Sequence, residues 1–161
     1  FGVEFTDGFA FPGYADESER PKAMAKPAIF RSADGTLAAH AIVRGRSAAE
    51  TVDHVRSFTG QAFRAPAAAQ PVMVLPADFV SLYPAKAWEF VPSTPKVAVG
   101  GWLQGAVMEI GAGRVAFFGE AAMFTAQLAG PERKAVGMNA PDAGQNPQFV
   151  LNVLHWLSGE L

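Results

Sequence analysis

At 161 residues, half of them hydrophobic and 17% charged, the chain is long enough to bury a sizeable core and too apolar for a disordered segment. A net charge of −2, with no Lys/Arg cluster interleaved with aromatics, excludes the electrostatic footprint of a nucleic-acid binder. No cysteine occurs, so a thiol nucleophile, a Cys-ligated zinc and a disulfide are excluded together.

The apolar runs fall well short of 18 residues, and no charged n-region with an apolar h-region opens the chain, so no membrane span is expected. Phe1 stands where an initiator Met would, which predicts a processed or truncated N-terminus. Exported, periplasmic and cytoplasmic locations are all compatible with this composition.

In chain order, residues 1–45 are the least regular. Phe1, Phe5, Phe9 and Phe11 alternate with Gly and Pro, which reads as a strand and a docking loop whose aromatics cap a core. Asp16 to Lys26 reads as an exposed loop, Ala28-Ile29-Phe30 as a short strand and Asp34-Gly35 as a turn. Ser47 and Glu50 have the capping-box spacing of a short helical turn. Val52 to Phe58 reads as a strand ending at Thr59-Gly60, and Pro66 to Pro71 as an Ala/Pro connector.

Val72 to Leu75 is an apolar strand closed by Pro76. Lys96 to Leu103, Ala106 to Ile110 and Arg114 to Phe118 read as further strands, the last two joined through Gly111-Ala112-Gly113 as an antiparallel hairpin. A helix is predicted over Glu120 to Ala129, with Ala121, Phe124 and Leu128 on one face and Gly130-Pro131 as its stop. A second runs from Asn146 as N-cap, through Pro147 at the first position, to Gly159 just past its end. Its apolar residues, Phe149, Val150, Val153, Leu154 and Leu157, carry the helical period.

The succession of a Gly-Arg-Val strand, a Gly with a polar residue, a helix and then Asn-x-x-x-x-Leu-Asn-x-x-x-Trp-Leu resembles the C-terminal half of the class I glutamine amidotransferase-like superfamily. The likeness is to its uncharacterised bacterial branches and the trehalose-utilisation (ThuA-like) proteins. His40-Ala41-Ile42-Val43-Arg44-Gly45 is similar to their His-Pro-Ile-Thr-x-Gly segment, with Ala41 for Pro and Val43 for Thr. The resemblance spans about residues 36–160 and implies a flavodoxin-like three-layer α/β sandwich, with a mixed sheet and an antiparallel hairpin toward its C-terminal half. Residues 1–161 would then form a single α/β domain, or the C-terminal portion of a longer one. The departures bear on chemistry: the catalytic Cys is missing, and Glu120 stands roughly where the family's late His is expected.

No dinucleotide fingerprint, P-loop, Gly-x-Ser-x-Gly elbow or His-Glu-x-x-His occurs. His40, His54 and His155 show no metal-ligand spacing, so neither a metal nor another cofactor is expected. Glu120, at a strand end beside a predicted helix start, is the leading candidate. It reads either as a helix-terminus stabiliser, kept ionised by the dipole, or as a general base if burial raises its pKa. His40 is the second catalytic candidate, since loops after strands carry function.

Gln104, Asn139, Asp142 and Gln145 are candidate ligand contacts, the last three rimming one crevice with Glu120 if the final helix starts at the same sheet edge. Two functions follow. One is a non-catalytic binding domain for a polyhydroxylated small molecule, or for a protein partner such as an upstream segment or a second copy of the chain. The other is a hydrolase or carbohydrate-modifying enzyme using Glu120 with His40 or with residues upstream of this chain.

Overall fold

The computed structural model describes residues 1–161. Twelve strands and three α-helices follow in the order β1 (Glu4–Phe5), β2 (Phe9–Pro12), α1 (Arg20–Ala25), β3 (Ala28–Arg31), α2 (Ala41–Arg44), β4 (His54–Ser57), β5 (Phe63–Arg64), β6 (Gln70–Val74), β7 (Phe79–Leu82), β8 (Lys96–Ala98), β9 (Leu103–Ile110), β10 (Gly113–Phe118), β11 (Ala126–Ala129), β12 (Lys134–Gly137) and α3 (Asn146–Ser158). Every strand pairing is antiparallel.

β9 is the spine. Its central residues pair with β6 on one side, Ala106 facing Pro71, and with β10 on the other, Ala106 facing Phe117. Leu103 pairs with Val74 of β6 and with Phe63 of β5, so β10 and β5 lie end to end along one edge of β9. The seam between them is bridged by backbone: the Gly119 amide donates to the Gln104 carbonyl at 3.0 Å, and the Gln61 amide to the Gly119 carbonyl at 2.7 Å. β1 extends this sheet beyond β5, while β2, β7 and β8, β3 and β4, and β11 and β12 form three smaller sheets.

This arrangement overturns the flavodoxin-like, mixed-sheet expectation. A helix-flanked sandwich needs parallel strands joined through crossover helices. Here no pair is parallel, several small antiparallel sheets pack together, and only α3 exceeds two helical turns. The β9–β10 hairpin is present, closed by the two residues Gly111 and Ala112, with Gly111 at φ 59°.

The helix expected over 120–129 is absent. Ala122–Phe124 makes one 3₁₀ turn, and the chain then pairs Ala126–Ala129 with Lys134–Gly137. The helical face that would have justified a helix is not buried, since Leu128 is 53% exposed, and Gly130 turns a hairpin at φ 70° instead of stopping a helix. The expected strand from Lys96 to Leu103 is divided at the Gly100-Gly101 turn between two sheets. The expected 16–26 loop contains α1.

α3 spans the expected residues, its apolar side closed by Phe149, Val153 and Trp156. These join Phe30, Ile42, Val55, Met73, Val107 and Met123 in one cluster of buried side chains, which ties α3 to β3, β4, β6 and β9. Asn146 is the first helical residue, not its cap. Its buried amide serves β4 instead: Oδ1 accepts from the Arg56 amide at 3.0 Å, and Nδ2 donates to the carbonyls of Arg56 at 2.8 Å and Met123 at 3.1 Å. One side chain thus stands in for a neighbouring strand.

Candidate functional site

The β10–β5 seam sets the position of Glu120. β10 ends at Phe118, and Gly119 crosses under Gln61 so tightly that a Cβ on Gly119 would lie 1.9 Å from the Gln61 carbonyl oxygen. Only glycine fits there. The next residue, Glu120, turns inward and is 8% exposed. Its carboxylate accepts from the Met123 amide at 3.0 Å and 3.3 Å through its two oxygens, which ties it to the 3₁₀ turn that follows.

Burial dominates its titration. Removal from water pushes the Glu120 carboxyl up to about 7, against the opposing pull of amide donors from Met123, Ala122 and Phe58 and of the Ser57 hydroxyl. None of the ion pairs in the molecule includes Glu120. The helix-dipole reading, in which the group stays ionised, is therefore replaced by a carboxyl that changes charge near neutrality.

Glu120 lines a concavity of about 480 Å³, within the size range of small-molecule sites. Phe58 and Thr59 form one wall, Ala129 and Val136 of the β11–β12 hairpin another, and Trp88 the rim. Among the lining side chains only Glu120, the Thr59 hydroxyl and the Trp88 indole N–H carry hydrogen-bonding atoms.

The backbone of this wall is strained. Thr59 has φ 112°, a conformation a β-branched residue rarely adopts, and Gly60 has the same angle. Trp88 is at φ 68°. The Thr59 carbonyl is held by two donors, the Ser57 hydroxyl and Gln104 Nε2, both at 3.0 Å. Strain of this kind persists where the surroundings over-determine it, and it concentrates at ligand sites.

Of the residues singled out from the sequence, Glu120 and Gln104 are brought to one place. Gln104 is 1% exposed and lies behind the wall, where it fixes Thr59; its Oε1 has no hydrogen-bond partner. It positions the wall and does not line the concavity.

His40 is elsewhere. It is buried against Trp156 with ring centroids 5.8 Å apart, and its Nδ1 accepts from the Ile42 amide at 3.2 Å to cap α2. Burial, reinforced by the Arg44 cation, pushes its pKa below the usual value, so it is a neutral packed histidine at neutral pH.

The expected crevice of Asn139, Asp142 and Gln145 with Glu120 does not form as a ligand rim. Gln145 Oε1 accepts from the Asp53 amide at 2.7 Å and the His54 amide at 2.9 Å, beside the contacts of Asn146. Asp142 pairs with Arg56 at 3.2 Å, and Asn139 donates to the Gln127 carbonyl at 3.2 Å. Asp142, Gln145 and Asn146 staple the start of α3 to β4; Asn139 ties the loop before α3 to β11.

Thr59, Trp88 and Val136 carry no sequence signal of a site. Thr59-Gly60 signalled a strand end, and only its three-dimensional crossing over Glu120 makes it a wall. No group of three or more acidic or histidine side chains is placed to hold a metal ion, and no helix is long and apolar enough to cross a membrane. Comparison with protein-family models, curated proteins and solved structures finds no match to this chain.

Proposed function

We propose that this chain is a binding module whose concavity at Glu120 takes a small molecule combining an apolar body with a protonated amine. The observation that carries this reading is a buried carboxyl without a cationic partner at the edge of an otherwise apolar concavity. A buried charge is costly unless it is paired. A ligand cation supplies the partner, its apolar body covers Phe58, Ala122 and Val136, and the rim indole of Trp88 adds a cation–π face.

A polyhydroxylated ligand asks for many side-chain partners, and three such groups at this site offer it less than they offer an amine. The test is ligand-observed NMR with phenethylamine, phenethyl alcohol and methyl β-glucoside, each against the wild type and Glu120→Gln. Binding of phenethylamine alone, lost in Glu120→Gln, supports the reading. Binding of the glucoside in place of the amine overturns it in favour of a carbohydrate ligand.

A carboxyl that titrates near 7 also suits general acid–base catalysis, which favours a second reading, a hydrolase in which Glu120 acts without His40. Its signature is a substrate still bound by Glu120→Gln and no longer turned over.

A further inference from the structure

The outer edge of β10, which ends two residues before Glu120, is a second feature. β10 has β9 on one side and no strand on the other. The two-residue turn makes Ile110 and Gly113 a hydrogen-bonded pair, and the alternation of an antiparallel ladder then turns the N–H and C=O groups of Gly113, Val115 and Phe117 toward β9. Those of Arg114, Ala116 and Phe118 point outward along the free edge. No other backbone or side-chain group hydrogen-bonds them.

Soluble proteins blunt such edges with charged side chains, Pro, bulges or very short strands. β10 has no Pro and no bulge, and its one charge, Arg114, is turned onto the carbonyls of Trp156 and Leu161; its six residues, Gly-Arg-Val-Ala-Phe-Phe, pair with β9 in unbroken register. Directly above this edge an entirely apolar groove of about 240 Å³ opens between β10 and α3, lined by Ala116, Phe118, Phe124, Val150, Leu154 and Leu157 among others. Leu154 is 54% exposed and Leu157 37%.

We propose that this edge is a two-fold homodimer interface in which β10 of one chain pairs antiparallel with β10 of a second copy. The outward groups are self-complementary: centring the axis on Ala116 sets Ala116 opposite Ala116 and Arg114 opposite Phe118 of the second copy, and closes about six backbone hydrogen bonds. The same operation lays the two α3 helices side by side on one face, so that Leu154 and Leu157 of each cover the groove of the other.

A six-residue strand and a helix of thirteen residues are each about 20 Å long, and two stacked layers each about 10 Å thick give a face of roughly 400 Å² per partner, the size of a weak, concentration-dependent interface. The two Arg114 side chains stand about 13 Å apart along the pairing, beyond strong repulsion at physiological salt.

Sedimentation velocity over 1–200 µM tests the proposal, with hydrogen exchange at the Arg114, Ala116 and Phe118 amides. The expected result is twice the mass of one chain, protection of those three amides that grows with concentration, and at least tenfold weaker association in Leu154→Glu. Leu151→Glu is the control, because Leu151 is 48% exposed on α3 yet lies outside the groove, and it should dimerise like the wild type. Circular dichroism of both variants at 1 µM should match the wild type. A wild-type monomer at 200 µM overturns the interface, and so does a dimer that Leu151→Glu and Leu154→Glu weaken equally or that leaves the three amides unprotected.

Discussion

Gly60 passes so close to Glu120 that a Cβ on Gly60 would stand 2.6 Å from the Glu120 Cβ and 2.5 Å from the Gly119 carbonyl oxygen. The wall of the concavity and the carboxyl it borders are therefore one packing unit, and the position admits no side chain. Its φ of 112° adds a backbone reason to the steric one. Gly60→Ala should lose about 3 kcal/mol or more of stability. Urea unfolding of the variant checks this, and a loss below 1 kcal/mol would mean that the crossing relaxes without cost.

Thr59 tests the strain from the other direction. Its φ equals that of Gly60, but it carries a β-branched side chain. Thr59→Gly should relieve about 1–2 kcal/mol of strain in the folded state, partly offset by about 1 kcal/mol from the greater freedom of the unfolded chain. The expected net change is thus near zero or slightly stabilising, where a Gly substitution in an ordinary extended segment destabilises. A loss above 2 kcal/mol in the same unfolding assay would show that the Thr59 side chain is needed in the fold.

Asn146 makes three hydrogen bonds to the backbone of β4 and of the turn after β10 while 1% exposed. Asn146→Ala leaves the Arg56 amide and two carbonyls without these partners, a cost of about 2–4 kcal/mol. Asn146→Asp restores the acceptor for Arg56 but not the donors, so it should not recover the loss. Thermal unfolding of the two variants beside the wild type gives the comparison.

Local signals made much of this chain legible. The β9–β10 hairpin follows from Gly111 between two apolar runs, and α3 from Pro147 at its start and Gly159 past its end. Glu120 stands out in the sequence as a carboxylate one residue past the Gly119 that closes an apolar strand; its burial is a property of the fold. What stayed hidden depends on partners distant in the chain. Gln145 and Asn146 look like ordinary capping residues until β4, about ninety residues earlier, is seen to need acceptors along its open edge.

The strand at 126–129, where a helix is expected, has a similar cause. Ala-Gln-Leu-Ala has strong helix propensity, and tertiary pairing with Lys134–Gly137 overrides it. Gly137 is held at φ 86°, where a Cβ would meet the Thr125 carbonyl oxygen at 2.0 Å. The flavodoxin-like fold that the resemblance implies is overturned for the same reason, because a short strand–turn–helix pattern does not record whether neighbouring strands run parallel or antiparallel.

Glu120 makes stability depend on pH with a definite sign. Its carboxyl titrates at about 7 in the folded chain against 4.5 for the ordinary value, so between these pH values the folded state holds a proton that the unfolded state has released. Stability then falls as pH rises. The contribution is complete below about pH 4.5, is lost through pH 7 and is flat above it. A shift of this size corresponds to roughly 3 kcal/mol. Glu120→Gln keeps the shape and an acceptor for the Met123 amide but has no charge to bury, so it should abolish this slope and be more stable than the wild type by about 2–3 kcal/mol at pH 8. Unfolding in urea at half-unit steps from pH 4 to 8.5, with the variant's curve subtracted, isolates the Glu120 term. A difference curve flat across pH 5–7 would place its titration in the ordinary carboxylate range. Bound amine should displace the same proton, so that phenethylamine affinity rises up to tenfold per pH unit below 7 and levels off above it. Affinity constant between pH 5 and 8 would remove the buried carboxyl from any part in binding.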